Sequence, residues 1–276
     1  MTRWKPIALA LFAAFALSAC GADLSAAVLD DAGITTSITY GELDGDRHPM
    51  VGLMVAQNAS GNPLWLCSGT LLSPNVFLTA GHCTYGATSA QIWFDATEAG
   101  IRAKGFPVAA VPDASGTTYT PLDYNPDAFF LFDVGVVVLD EPYDLAEYAE
   151  LPEQDELDAL AKRRGRQDTT FTAVGYGLQR INPVFVESRL DRMLATPRLV
   201  QINAPGFTGD FSLLLSNNAS TGGTCFGDSG GPNFLGDGLI VAGVTSFGIN
   251  GNCAGTGGVY RMDRAAPLEW VQDFLD

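Results

Sequence analysis

The sequence is poor in histidine and in basic residues. Its 276 residues include only two histidines, His48 and His82, and 15 lysines and arginines against 31 aspartates and glutamates, so the formal net charge is −16. A protein that binds nucleic acid needs clustered basic side chains to neutralise phosphates, and the sequence contains no basic stripe. We therefore expect no nucleic-acid partner, and an acidic, soluble surface suited to an extracytoplasmic protein.

The apolar run PIALALFAAFALSA, at residues 6–19, is too short to span a bilayer and follows the positively charged segment MTRWK. These features predict a signal peptide over residues 1–19. The motif LSAC, at residues 17–20, resembles the lipobox of bacterial lipoproteins. The resemblance implies that Cys20 is acylated and becomes the new N-terminus. The alternative is an ordinary signal peptide that ends in a cysteine by coincidence.

The chain has five cysteines, which is an awkward number for an exported protein because one would be left unpaired. If Cys20 carries a lipid, the other four can form two disulfides, and Cys83 can pair with Cys67 across a short loop. Two disulfides imply an oxidising compartment. The four cysteines are Cys67, Cys83, Cys225 and Cys253.

Charged residues make up only 17% of the chain and hydrophobic residues 47%, which is ample for a buried core. Residues 20–37 are small and polar, as is typical of a tether. From Ile38 onward, short apolar runs separated by turns predict strands, and an acid-rich region at residues 140–168 separates two series of them. Apolar residues at helical spacing predict a helix at about residues 265–275. This layout fits two packed antiparallel β units and a terminal helix.

Ser229 lies in a G-x-S-x-G motif within the segment GDSGGP. The same motif marks the nucleophile of α/β-hydrolases, whose histidine follows the serine in the chain. Both histidines of this sequence precede Ser229, which excludes that fold. The order His…Asp…Ser remains open.

Two residues are candidate partners for Ser229. His82 follows an apolar strand in LTAGHC, beside Cys83, whereas His48 lies among turn-forming residues and is predicted to be a solvated loop residue. Asp133 interrupts the apolar run FFLFDVGVVVL. An unpaired buried carboxylate is costly, so Asp133 needs a partner. That partner is either a histidine that becomes cationic during turnover or a set of backbone amides.

From about Ile38 to the C-terminus, the sequence resembles the chymotrypsin/trypsin family of serine endopeptidases. LTAGHC, DVGVVVL and GDSGGP are similar to the family's histidine, aspartate and serine motifs and occur in the same order. The resemblance implies an all-β fold of two antiparallel six-stranded β-barrels, at about residues 38–145 and 146–262, with a C-terminal α-helix and the site between the barrels. It also implies that Cys225 is joined to Cys253.

By the same resemblance, His82 is the general base, Asp133 the acid that orients it, and Ser229 the nucleophile. The backbone N–H groups of Gly227 and Ser229 would form the oxyanion hole. The general base, the acid and the nucleophile together imply hydrolysis of peptide bonds through an acyl-enzyme.

The resemblance places six residues in the pocket for the side chain before the scissile bond: Gly223, Thr224, Ser246, Phe247, Gly248 and Gly258. Gly223 stands where trypsin carries the acid that selects Lys or Arg, so we expect a neutral pocket. Glycines at 248 and 258 would leave its walls open, which favours apolar and even large side chains.

In this family, a new N-terminus made by proteolysis pairs with the acid before the serine, here Asp228. ITYG, beginning at Ile38, resembles a degraded form of that N-terminal motif. An acylated Cys20 could not supply the free amine. We hypothesise that cleavage before Ile38 both activates the enzyme and releases it from its anchor. The alternative is that Asp228 binds another cation or an amide, and no processing occurs.

The leading hypothesis is an active serine endopeptidase, monomeric, acting on protein or peptide substrates. The alternatives are a non-catalytic surface lipoprotein that uses the same scaffold for binding, and an esterase or other acyl transferase with the same three residues. No compact run of alternating acids suggests calcium, and we expect neither a metal nor a cofactor. The expected location is the bacterial cell envelope, through the lipid on Cys20, with release to the periplasm or outside by proteolysis.

Overall fold

The computed structural model describes residues 38–107, 110–162, 169–182 and 185–276. The predicted signal peptide, the predicted tether and Cys20 lie outside the described residues. Within those residues, no helix is long and apolar enough to cross a membrane.

Strands dominate the described chain. They are β1 (Glu42–Leu43), β2 (Val51–Gln57), β3 (Pro63–Leu71), β4 (Val76–Thr79), β5 (Ser89–Trp93), β6 (Ala114–Tyr119), β7 (Gly135–Leu139), β8 (Phe171–Gly175), β9 (Arg180–Asn182), β10 (Phe185–Glu187), β11 (Met193–Ala195), β12 (Leu199–Ala204), β13 (Gly209–Asn217), β14 (Pro232–Leu235), β15 (Val241–Gly248) and β16 (Gly255–Arg261). The helices are α1 (Gly81–Thr84), α2 (Glu98–Ala103) and α3 (Ala265–Gln272), with 3₁₀ helices at Pro126–Leu131 and Glu156–Lys162.

The first half of the chain forms a closed antiparallel barrel in the strand order β2-β3-β4-β7-β6-β5. Every residue of β4 is buried, as are the first six of β2, which explains why these strands appear in the sequence as continuous apolar runs. Strand β4 leads directly into α1, and β7 begins two residues after Asp133. The two strands are paired, with Thr79 opposite Gly135. Their neighbouring ends therefore bring His82 and Asp133 together.

The second half forms a curled sheet of eight strands in the order β1-β11-β8-β14-β15-β16-β13-β12. The prediction of an all-β fold with two antiparallel units and a C-terminal helix is confirmed. The second unit has eight strands rather than the six expected, and one of them is β1, from the start of the described chain, which pairs with β11. The predicted first-barrel segment therefore begins with a strand that belongs to the second sheet.

His48 is not the solvated loop residue that the sequence predicts, because it is buried with Asp44 and Arg192. The Asp44 carboxylate lies 2.5 Å from His48 Nδ1 and accepts a 2.8 Å hydrogen bond from Arg192 Nε. Arg192 also donates to the carbonyl oxygens of Val51 and Phe94 in the first barrel. Burial alone would raise the pKa of Asp44, but the hydrogen bonds and charges of His48 and Arg192 outweigh it and lower this pKa. A buried ion is tolerated only with such partners.

Candidate active site

Two disulfides fix the loops that carry the candidate residues. One joins Cys67 of β3 to Cys83 of α1, and the other joins Cys225 to Cys253. The sulfur atoms of Cys67 and Cys83 lie close to a ring nitrogen of His82. Because both sulfurs are in a disulfide, they are not thiolates and do not form a metal site with this histidine.

His82 and Asp133 are joined by hydrogen bonds at the end of the first barrel. His82 Nδ1 lies 2.9 Å from Asp133 Oδ2, and the backbone N–H of His82 donates to Asp133 Oδ1 at 2.9 Å. The Ser246 hydroxyl of β15 donates to Asp133 Oδ2 at 2.5 Å. The Asp133 carboxylate is completely buried, and these three contacts offset the cost of burying its charge. The sequence posed a histidine and a set of backbone amides as alternative partners of Asp133. The structure shows the histidine together with one amide, that of His82 itself.

Ser229 lies where the two halves of the molecule meet. Its carbonyl accepts a hydrogen bond from the N–H of Ser68 in β3, and the next N–H, of Gly230, donates to Thr245 of β15, each at 2.8 Å. The side of Ser229 that faces solvent lines a cavity of about 550 Å³, which His82 also lines. Within the described residues, no hydrogen bond joins Ser229 to His82. Catalytic hydrogen bonds are often long in sites without substrate.

Glycines on each side of Ser229 have backbone conformations that other residues rarely adopt. Gly227 has φ of 97° and Gly230 has φ of 78°. A β-carbon at Gly230 would overlap Thr79 Oγ1, and one at Gly227 would lie 2.9 Å from the α-carbon of Gly177. Among the described residues, no hydrogen-bond acceptor is paired with the N–H of Gly227 or with that of Ser229. Both groups are therefore available to a ligand.

Comparison with known proteins places this fold and geometry in a family. The family model described as Trypsin matches residues 44–268. The chain belongs to the trypsin family. Serine endopeptidase is accordingly its enzyme class.

Individual relatives of this trypsin-family chain agree with that assignment. The chain is 25% identical over 208 residues to a collagenase of Hypoderma lineatum, covering 75% of each sequence. It is 30% identical over 202 residues to a trypsin of Saccharopolyspora erythraea, covering 70% of this chain and 80% of that protein. A solved HL collagenase structure superposes with a TM-score of 0.66 over 84% of this chain and 96% of the other, at 19% identity, and shows the shared fold.

Asp228, next to the serine of this trypsin-family site, is completely buried. Its two carboxylate oxygens accept hydrogen bonds from the N–H groups of Gly177 and Cys225, each at 2.8 Å. Burial raises the pKa of Asp228 to about 7, although the two amide hydrogen bonds act in the opposite direction. No ion pair within the described residues includes Asp228, and none of their hydrogen bonds joins it to Ile38.

The segment at Ile38 nevertheless lies in the second unit. Ile38 has no exposed surface and packs with Met193 and Ala195. The Thr39 hydroxyl is within hydrogen-bond distance of both Asn217 Oδ1, at 2.6 Å, and the Gly223 carbonyl oxygen, at 3.0 Å. The start of the described chain is therefore held against the segment that precedes Cys225.

Four of the six predicted pocket residues line the cavity: Thr224, Ser246, Phe247 and Gly248. Gly223 and Gly258 do not. A β-carbon at Gly223 would overlap the side chain of Asn217, and one at Gly258 would overlap the ring of Phe247. The space beside each of these two glycines is thus occupied by a neighbouring side chain.

Several residues that the sequence interpretation did not select also line the cavity: Tyr124, Pro126, Phe129, Phe226, Asn250 and Gly251. Phe129 makes an edge contact with the His82 ring, with centroids 5.6 Å apart. The signal for Phe129 was the apolar run before Asp133, which is too rich in aromatic residues for a solvated loop. Phe226 is 58% exposed, and its position directly before the serine motif GDSGGP was the available clue.

Proposed function

We propose that the chain is a serine endopeptidase in which His82, Asp133 and Ser229 act together. The observation that carries this proposal is the contact between His82 and Asp133 at the edge of the cavity that Ser229 also lines. Asp133 orients the imidazole and stabilises its cationic form, because the carboxylate is buried and held by Ser246 as well.

The positions of these groups support the following reaction. Ser229 Oγ attacks the carbonyl carbon of the substrate while its proton passes to His82 Nε2, because Nδ1 faces Asp133. The oxyanion that forms is stabilised by the N–H groups of Gly227 and Ser229. His82 then gives its proton to the leaving amine, which leaves an ester on Ser229. Water, deprotonated by His82, hydrolyses the ester and restores the serine.

The cavity favours neutral, apolar side chains before the scissile bond. No acid stands at Gly223, and four aromatic rings at the cavity surface offer apolar contacts: those of Tyr124, Phe129, Phe226 and Phe247. A pocket without a carboxylate gives Lys or Arg no partner to offset the loss of their hydration.

A phosphonate probe that reacts with activated serines tests the catalytic role. We expect labelling of the wild type and none of Ser229→Ala, with His82→Ala strongly reduced. Ser220→Ala, at an exposed loop position, is the matched control and should be labelled like the wild type. Equal labelling of wild type and Ser229→Ala would refute the mechanism.

A peptide library tests specificity. A dominant preference for Lys or Arg before the scissile bond would refute the neutral pocket.

We further propose that residues 1–19 are a lipoprotein signal peptide, that lipid on Cys20 anchors the monomeric enzyme to a membrane of the bacterial envelope, and that cleavage before Ile38 releases and activates it. A buried Asp228 with only amide partners supports the last step, since a new amine would give its carboxylate a cation.

Two experiments test these proposals. Labelling with a radioactive fatty acid, which should be lost in Cys20→Ser, tests the anchor. N-terminal sequencing of active protein tests the cleavage, and full activity of the intact acylated chain would refute it.

A further inference from the structure

We infer that Gln179 is a positioning residue that sets the orientation of the Gly227 N–H in the oxyanion hole. The inference rests on the proposed function, because it concerns the same site. Gln179 does not line the cavity and acts through the two residues before it, Gly177 and Leu178.

The Gln179 side chain is unusually well bound for a residue next to a surface hairpin. It is only 2% exposed. Its Nε2 donates to the carbonyl oxygens of Gly177 and Arg189, at 2.8 and 2.7 Å. Its Oε1 accepts from the Arg189 N–H at 2.6 Å. One amide thus ties the two ends of the segment that contains β9 and β10 to each other and to the Gly177 carbonyl.

The segment that Gln179 holds contacts the loop between β13 and β14 that carries Ser229, which we call the serine loop. The contacts lie on both sides of Gly227. Leu178 N–H donates to the Phe226 carbonyl oxygen at 2.8 Å. Gly177 N–H donates to Asp228 Oδ1 at 2.8 Å. The two donors are consecutive in the chain, so a shift of this segment disturbs both contacts at once.

The contact with Phe226 determines where the Gly227 N–H points. The Phe226 carbonyl and the Gly227 N–H belong to one planar trans peptide unit, in which the two groups point in opposite directions. Because Leu178 holds the carbonyl on one side, the N–H is directed to the other side, where no described residue accepts it. Gly227, at φ of 97°, could otherwise rotate this peptide with little steric cost.

Loss of the Gln179 amide should therefore affect the transition state more than substrate binding. The oxyanion is formed only during the reaction, and an N–H that is no longer held contributes less to its stabilisation. Peptide contacts along the aromatic cavity surface do not depend on the orientation of this N–H. A role in folding alone would instead change stability without a selective effect on kcat.

The test compares Gln179→Ala and Gln179→Met with Thr172→Val, each assayed well below its own melting temperature. Methionine keeps most of the side-chain volume without the amide, so it serves where the alanine variant is unstable. Thr172 is a matched control, because it lies in β8 of the same sheet and its buried hydroxyl donates to the carbonyl of Gly236, in the turn after β14, at 2.7 Å. The measurements are kcat and KM on a peptide substrate, and the affinity of a peptide aldehyde, whose adduct with Ser229 places an oxygen in the oxyanion hole.

We expect kcat to fall about tenfold in both Gln179 variants, less than the ~10²–10³ lost when a donor is removed outright. KM should stay nearly unchanged, because loss of an interaction made only in the transition state lowers kcat and kcat/KM equally. The aldehyde affinity should fall in parallel with kcat, and Thr172→Val should retain both.

Three results would overturn the inference. The first is wild-type kcat and aldehyde affinity in the Gln179 variants. The second is a fall in their kcat without loss of aldehyde affinity, and the third is an equal fall in kcat in Thr172→Val. Failure of the proposed function is distinguishable, because the wild type itself would then neither turn over peptide nor react with a serine probe.

Discussion

Gly177 N–H donates a 2.8 Å hydrogen bond to the buried carboxylate of Asp228, and no lysine, arginine or histidine among the described residues forms an ion pair with that carboxylate. The Asp228 side chain thus has amide partners but no cation. This arrangement makes stability depend on pH, and it connects the loop that carries Ser229 to the segment that follows β8. If the chain is cleaved before Ile38, as proposed, the new amine would change that pH dependence.

Asp228 should make the uncleaved protein less stable as the pH rises from about 4 to about 7. Its pKa is raised from 3.8 to about 7 by burial, so the folded state binds more protons than the unfolded state across that interval. Unfolding free energy therefore decreases with increasing pH there. Urea denaturation of the uncleaved chain at several pH values measures this decrease in unfolding free energy.

Asp228→Asn is the control for that experiment, because asparagine has a similar shape and does not ionise. It should lack this part of the pH dependence. A chain cleaved before Ile38 should also lose it if the new amine pairs with Asp228. The prediction would be contradicted if unfolding free energy depended on pH in the same way in the uncleaved wild type and in Asp228→Asn.

Ser246→Ala should lower kcat/KM by about tenfold, because each ~1.4 kcal/mol of lost transition-state stabilisation slows a reaction tenfold. The Ser246 hydroxyl is one of the groups that hold the Asp133 carboxylate, and without it this buried charge loses a partner worth ~1.5–3 kcal/mol. Steady-state kinetics on a peptide substrate measures the effect. Ser212→Ala, which removes a buried hydroxyl of β13 away from the cavity, should keep full activity, and equal losses in both variants would argue against a specific role.

Gly230→Ala should abolish activity and destabilise the fold. An alanine at φ of 78° is strained by ~1–3 kcal/mol, and its β-carbon would also overlap Thr79 Oγ1 in β4. Gly236→Ala separates the backbone strain from the steric overlap, since Gly236 has φ of 62° but open space around it. Thermal unfolding should show a clearly larger loss for Gly230→Ala. Similar melting temperatures would mean that the serine loop adapts.

Phe247→Ala should widen the accepted range of side chains before the scissile bond. The Phe247 ring occupies the space beside Gly258, so its removal opens the cavity toward that glycine. Peptide-library cleavage should shift toward larger apolar side chains. Phe207→Ala is the control. Its ring contacts Phe247, with centroids 5.6 Å apart, but does not line the cavity. A wild-type profile in Phe247→Ala would contradict this assignment.

The sequence determined much of this protein by local pattern. Ser229 between glycines, His82 after an apolar strand and Asp133 inside an apolar run are each recognisable from adjacent residues, because strand burial and tight turns act on neighbours in the chain. The order of the three residues then excluded the α/β-hydrolase fold, and the strand pattern indicated two β units with a terminal helix.

Only the tertiary structure decided the relationships between distant segments. His48 is buried because Arg192, 148 residues beyond Asp44, reaches that aspartate. Gln179 is next to the serine loop because Leu178 meets the Phe226 carbonyl, and no pattern near either residue indicates this contact. Such pairings depend on which strands become neighbours in the second sheet: β1 pairs with β11, and β8 pairs with β14. Strand pairing of this kind brings together groups whose separation along the chain leaves no periodic signal.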